Sequence, residues 1–292
     1  MKIVITGGAG FIGSNIHTTL SPDNEILIVD NFSTGSKCNI PENASTLCKD
    51  INDLKPSDLD GYEIVIHCAA LARVQPSIKD PLLYNKNNVD GTLNLLECCR
   101  IAGIRRVVYS SSSSVYGDTN NFPTPETEST KPLSPYALQK LIGEEYCRLY
   151  SQLYGLETVC LRYFNVYGEN MPLKGAYRTV IGIFQDLKKQ DKPLTITNDG
   201  TQRRDFTYVK DVVKANILAM TNPNVGNGEI FNIGNGNNYS VNEIAAAFGR
   251  PVEFIGNVIE PKITLADNSK AKKILGWKTT QDVLEWIVNN AI

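Results

Sequence analysis

The chain reads as a doubly wound α/β protein, a parallel sheet with helices on both faces and a smaller α/β lobe beside it. Three observations carry this reading. Short β-branched runs alternate with longer stretches of helical periodicity over residues 1–165, the order of a sheet built from strand–helix–strand units. The runs are nearly continuously apolar, as strands covered on both faces must be. The first run also ends directly in a glycine-rich turn that opens a helix, a local signature of such sheets.

Residues 2–6 form the first strand and residues 11–20 the first helix. Between them, Thr6-Gly7-Gly8-Ala9-Gly10-Phe11-Ile12-Gly13-Ser14 sets Gly8, Gly10 and Gly13 in the pattern G-x-G-x-x-G. A pyrophosphate needs a tight turn, close backbone approach and free N–H groups at the positive end of a helix, and this placement supplies all three. Residues 25–30 are the second strand, closing on Asp30, 22 residues after Gly8. A carboxylate there accepts both ribose hydroxyls of NAD and repels a 2′-phosphate. The absence of arginine from residues 31–37 points the same way. The sheet is therefore expected to be Rossmann-type and to bind NAD.

Residues 63–68, 105–110 and 157–162 are the next strands, with helices at 87–102 and 134–154. Both helices are long enough to cross the sheet and leave surface for a dimer contact. Beyond Arg162 the alternation breaks down into loops rich in Gly, Pro and Asn at 168–175, 191–200 and 222–238, the mark of a second lobe. Strand-like runs at 204–209 and 229–233, with a helix at 211–220 between them, are expected to rejoin the first lobe. The expected division is a NAD-binding domain of residues 1–165, to which 204–233 returns, and a substrate-binding lobe of residues 166–203 and 234–292.

Composition removes several function classes. Lys and Arg total 29 against 31 Asp and Glu, a formal charge of -2, so no general attraction to nucleic acid or an anionic membrane is expected. No run approaches the ~18 apolar residues of a membrane span, and the start lacks a signal peptide's apolar region. The seven cysteines lack a paired spacing and lie mostly in apolar runs, which fits a reducing cytoplasm. With His17 and His67 as the only imidazoles and no C-x-x-C pair, no metal site is expected.

The chemistry is expected at Ser134-Pro135-Tyr136-Ala137-Leu138-Gln139-Lys140, where Tyr136 and Lys140 stand four apart at the start of a helix and share one face. A phenol, with a reference pKa of ~10, is a poor base at neutral pH; a nearby ammonium and an oxidised nicotinamide both favour the phenolate. The serine run 110–114 ends a strand of the same sheet, and in a parallel sheet ligands sit at the carboxyl ends of strands. One of those hydroxyls can thus reach the substrate oxygen that Tyr136 reaches.

These segments resemble the extended short-chain dehydrogenase/reductases, and among them the UDP-sugar 4-epimerases. The resemblance runs from Lys2 to about Met220 through TGGAGFIGS, VDNFSTG, HCAALARVQPSIKDP, SSSSSVYG, SPYALQK, LRYFNVYGE and RRDFTYVKD. It implies Ser112, Tyr136 and Lys140 as a catalytic trio. The implied NAD contacts are Gly7, Gly10, Phe11, Ile12, Gly13, Asp30, Asn31, Asp50, Ile51, Ala69, Ala70, Asn88, Ser110, Tyr136, Lys140 and Tyr163. The implied substrate contacts are Ser112, Asn165, Thr195, Arg204, Glu260 and Thr264, with Arg204 against the diphosphate, a role suited to its bidentate fork. The implied reaction inverts the sugar 4-hydroxyl through a transient 4-keto sugar: Tyr136 takes the proton, NAD takes and returns the hydride, Ser112 orients the 4-oxygen and Lys140 lowers the Tyr136 pKa.

Ser113 and Ser114 stand where family dehydratases carry an Asp-Glu pair, so elimination of water lacks its extra acid and base. Thr264 falls on a gate position where a bulky Tyr restricts some members to plain hexoses, and a small residue leaves room for an acetamido group. The implied substrates are accordingly UDP-N-acetylglucosamine/UDP-N-acetylgalactosamine, UDP-glucose/UDP-galactose or both. The chain departs from the family before this gate: where most members have Arg-x-Gly-Asp it reads Asn257-Val258-Ile259-Glu260, keeping in Glu260 an acceptor for ribose hydroxyls but no arginine. Two alternatives stand beside this reading. One is a UDP-glucuronate 4-epimerase, with Arg178 as the partner of the sugar carboxylate; the other is a non-catalytic NAD-binding regulator of the same fold. A homodimer through the helices containing Asn94 and Glu145 is a family expectation.

Overall fold

The computed structural model describes residues 1–173, 178–256, 258 and 260–290. The end of the 168–175 loop, and Asn257 and Ile259 of the tail stretch, lie outside the described residues. The strands are β1 (Lys2–Thr6), β2 (Glu25–Val29), β3 (Thr46–Leu47), β4 (Ile64–His67), β5 (Arg106–Ser112), β6 (Glu157–Tyr163), β7 (Val166–Tyr167), β8 (Leu194–Ile196), β9 (Arg203–Asp205), β10 (Thr207–Tyr208), β11 (Asn227–Ile233), β12 (Asn238–Ser240) and β13 (Val252–Phe254). The helices are α1 (Phe11–Leu20), α2 (Val74–Lys79), α3 (Pro81–Asn85), α4 (Gly91–Ala102), α5 (Pro135–Tyr154), α6 (Val180–Lys189), α7 (Val209–Thr221), α8 (Val241–Phe248) and α9 (Val283–Asn290).

Among the described residues, seven parallel strands form one sheet in the order β11-β6-β5-β4-β1-β2-β3. The order reverses between β1 and β4, which opens a crevice at the carboxyl ends of those strands. Side-chain alternation along the strands feeds two cores. Ile3 and Ile5 of β1 pack on one face with Ile16 of α1 and Val212 of α7. Val4 packs on the other with Leu95 and Leu96 of α4 and Cys147 of α5. Helix α5 lies directly on β5, because a Cβ at Gly143 would stand 2.2 Å from the Tyr109 hydroxyl. Its start is fixed by Ser134, whose hydroxyl accepts from the Ala137 N–H at 3.2 Å, with Pro135 in the first turn. That contact and that cap set Tyr136 at the end of β5.

A third core gathers Tyr167, Ile181, Phe184, Leu194, Phe206, Ile244, Phe248 and Trp286 under the small sheets β10-β7, β12-β9 and β13-β8. The run 204–209 departs from expectation here. It breaks at Phe206 into β9, antiparallel to β12, and β10, parallel to β7, so only α7 and β11 return to the large sheet. Buried Phe206 turns into the third core and ends the alternation that one strand needs. The helix expected at 87–102 is made of a π-helical turn over Lys86–Asp90 followed by α4, and α3 runs directly into it. Among the described residues, no helix is long and apolar enough to cross a membrane, and no cluster of His, Cys, Asp or Glu could hold a metal ion.

Candidate active site

The glycine turn is a cradle that any side chain would fill. Gly7 has φ +68°, and a Cβ there would lie 2.6 Å from the Ala69 backbone nitrogen; a Cβ on Gly13 would lie 2.3 Å from the Gly7 carbonyl. Gly10 starts α1 without a side-chain cap, so the first helical N–H groups, which have no partner within the helix, stay available to an anion. Asp30 closes the turn from the β2 side, accepting from the Ala9 N–H at 2.9 Å and the Phe32 N–H at 2.8 Å. Asp50 is bridged to Asn31 at 2.7 Å. Burial pushes the Asp50 carboxyl up, but hydrogen bonds from Asn52 and Asn31 outweigh it and hold the group below its ordinary range. These bare amides and acceptor carboxylates fit a dinucleotide's pyrophosphate and ribose.

All of this opens into one cavity of about 920 Å³, near the top of the range for small-molecule sites. Gly7, Gly10, Phe11, Ile12, Gly13, Asp30, Asn31, Asp50, Ile51, Ala69, Ala70, Ser110 and Tyr163 line one stretch of it. Ser112 and Tyr136 line the middle, and Asn165, Thr195, Arg204, Glu260 and Thr264 the far side.

At the centre, Tyr136 is tied to its surroundings by its backbone N–H, which donates to the Ser77 hydroxyl at 3.2 Å. Burial pushes its phenol above the ordinary range, while a hydrogen bond with Ser112 and the charge of Arg73 pull it back. Lys140 lies one turn further along α5. Its ammonium donates to the Ser110 carbonyl at 2.8 Å and sits 4.9 Å over the Tyr109 ring, behind the cavity wall. Burial lowers its pKa from 10.5 to about 8, although neighbouring Cys68, Cys147 and Glu144 oppose that. The charge of Arg73 also favours the Tyr136 phenolate. Ser110 also joins Tyr163 at 3.2 Å, and Asn216 donates to Tyr163 at 2.9 Å.

Asn88 does not line the cavity. Its amide accepts from the Leu71 N–H at 2.9 Å and donates to the Leu71 carbonyl and to Gln139, both at 3.0 Å. These bonds brace the loop after β4. On the far side, Arg204 pairs with Glu260 at 2.5 Å, so cation and carboxylate hold each other. The Thr264 hydroxyl accepts from Asn165 at 3.3 Å and from the Asp205 N–H at 3.2 Å. Arg178 pairs with Asp186 at 3.3 Å.

Behind β5, Ser111 donates to Glu144 at 2.5 Å, and Glu144 takes two bonds from Arg162 at 2.8 and 2.6 Å, all of it buried. Neither this network nor Arg73 is marked by a motif in the sequence; the one signal for Arg73 is a charged residue between apolar ones just ahead of α2.

Comparison with known proteins agrees with this geometry. Residues 3–234 match the NAD dependent epimerase/dehydratase family. A Methanocaldococcus jannaschii protein provisionally named UDP-glucose 4-epimerase is 41% identical over 309 residues, covering 99% of each chain. The solved UDP-N-acetylglucosamine 4-epimerase of Methanobrevibacter ruminantium M1, in complex with UDP-N-acetylmuramic acid, superposes with a TM-score of 0.94 at 35% identity, covering 99% of this chain and 96% of that one. The Thermotoga maritima UDP-glucose 4-epimerase with UDP-glucose gives 0.93 at 35% identity, covering 100% and 97%. A glycine cradle facing Asp30, a tyrosine–serine pair at the end of β5 and a match over most of the length converge on one assignment: the chain belongs to the NAD dependent epimerase/dehydratase family.

Proposed function

We propose that the protein is a UDP-sugar 4-epimerase that inverts the sugar 4-hydroxyl through a 4-keto sugar. The observation that carries this is the Tyr136–Ser112 hydrogen bond in the wall of the cavity that the glycine turn also lines. The turn and the N-terminus of α1 would hold the pyrophosphate of NAD, and Asp30 its ribose hydroxyls. NAD, when bound, supplies the site with a hydride acceptor and donor. Tyr136 holds the proton of the 4-hydroxyl and returns it after the keto sugar has turned over. Ser112 shares its hydrogen bond between the phenol and the sugar oxygen and so fixes their alignment. Lys140 anchors the end of β5 through the Ser110 carbonyl, and its charge favours the phenolate of Tyr136. Having no carboxylate at Ser113 or Ser114, the site lacks an acid–base pair for dehydration.

The small Thr264, held by Asn165 and the Asp205 N–H, supports UDP-N-acetylglucosamine and UDP-glucose as substrates. Arg204 would turn from Glu260 to the diphosphate. In this reading, residues 1–165 with 209–233 serve the cofactor, and residues 166–208 and 234–292 serve the nucleotide sugar. Exposed Ile101 of α4, with Leu149, Leu153 and Tyr154 of α5, supports a homodimer through these helices, measurable by sedimentation. The test of function is to incubate the purified protein with each UDP-sugar, without added NAD, and resolve the 4-epimers. Formation of the epimer is expected, and failure with every UDP-sugar would refute the reading.

A further inference from the structure

Arg73 joins the loop after β4 to α2 with φ +127° and ψ +135°. L-residues rarely adopt that backbone, at a cost of about 1–3 kcal/mol, and such residues gather at functional sites. The surrounding segment is held from both ends. Asn88 grips both backbone groups of Leu71, and the Tyr84 hydroxyl donates to the Ala72 carbonyl at 3.5 Å. Ser77, fully buried, donates to the Val74 carbonyl at 2.6 Å and accepts from the Tyr136 N–H. That last bond fastens the first turn of α2 to the first turn of α5. Arg73 and Tyr136 therefore enter the same wall of the cavity, and each feels the other's charge.

If Tyr136 meets the sugar 4-oxygen, as the epimerase reading on which this inference rests requires, a group beside Tyr136 faces the substituents flanking carbon 4. Those are borne by carbon 3 and carbon 5. A hydroxyl there needs no cation; a carboxylate matches the guanidinium fork in charge and in plane. We infer that Arg73 is a specificity-determining residue, reading a carboxylate on the hexose next to carbon 4. That carboxylate is either carbon 6 of a uronate or an acid carried on the 3-oxygen. The favoured substrates are acidic nucleotide sugars.

The test compares kcat/KM of the holoenzyme for UDP-glucuronate, UDP-N-acetylmuramate, UDP-glucose and UDP-N-acetylglucosamine. Wild type should favour one acidic sugar at least about tenfold over its neutral counterpart, and which acid is favoured identifies the position read. In Arg73→Gly, which suits the backbone conformation, that acidic-to-neutral ratio should fall at least about tenfold, with Arg73→Lys between the two. Turnover of neutral sugars at equal or greater efficiency, or an unchanged ratio in Arg73→Gly, would overturn the inference and leave the epimerase reading standing. Absence of turnover with all four would overturn both.

Discussion

Lys140 is only 4% exposed, yet the site keeps it charged, and this should be visible as lost stability. Its pKa falls from 10.5 to about 8 through burial. At about 1.4 kcal/mol per unit, holding the ammonium protonated at neutral pH costs the fold on the order of 3 kcal/mol. Lys140→Met keeps the volume of the side chain and removes the charge, while leaving the Ser110 carbonyl without its donor, a loss of about 1–2 kcal/mol. The variant should therefore be more stable than wild type by about 1–3 kcal/mol at pH 7, or roughly 2–5 °C in Tm for a chain of this length. The sign also fixes the pH dependence. Between about 8 and 10.5 the unfolded state holds the Lys140 proton and the folded state does not, so wild-type stability rises with pH across that window. The excess stability of the variant should shrink from pH 7 to pH 10, while its turnover falls by about 10²-fold or more. Thermal unfolding of NAD-free protein at both pH values is the assay. A variant less stable than wild type at pH 7, or a gap independent of pH, would refute the reasoning.

Gly13→Ala would drive a Cβ against the backbone of Gly7 and Gly8; we expect a cost of about 1–3 kcal/mol and at least tenfold weaker NAD binding by titration. Gly155→Ala, at the exposed end of α5 with nothing within 4 Å, should leave NAD affinity unchanged. Glu144→Ala strands a buried Arg162 and should cost about 3–5 kcal/mol in urea unfolding, most of it recovered when Arg162→Met is added.

The large sheet was legible because its strands are buried on both faces, which writes a continuous apolar run at each of β1, β2, β4, β5 and β6. The edge strand β3 has two residues, too few to carry a period, and 204–209 kept the composition of one strand while Phe206 divided it. The glycine cradle, Asp30 and Tyr136 were legible because backbone sterics and a helix start fix residue type at given spacings. Arg73, and the hydrogen-bond partners of Asn88 and Lys140, were not. Whether an amide reaches a ligand or a loop, and whether an ammonium points at a phenol or a carbonyl, depends on how α2, α3 and α5 pack, a long-range property that no local pattern encodes.

The proposed reaction turns on the Tyr136 phenol carrying the proton of the sugar's 4-hydroxyl. Removing that single oxygen in Tyr136→Phe and following interconversion of the preferred UDP-sugar tests it most directly, with bound NAD measured on the same sample. Undiminished NAD occupancy with turnover lowered by at least about 10²-fold is expected; turnover equal to wild type, with NAD still bound, would rule out a proton-carrying role for Tyr136.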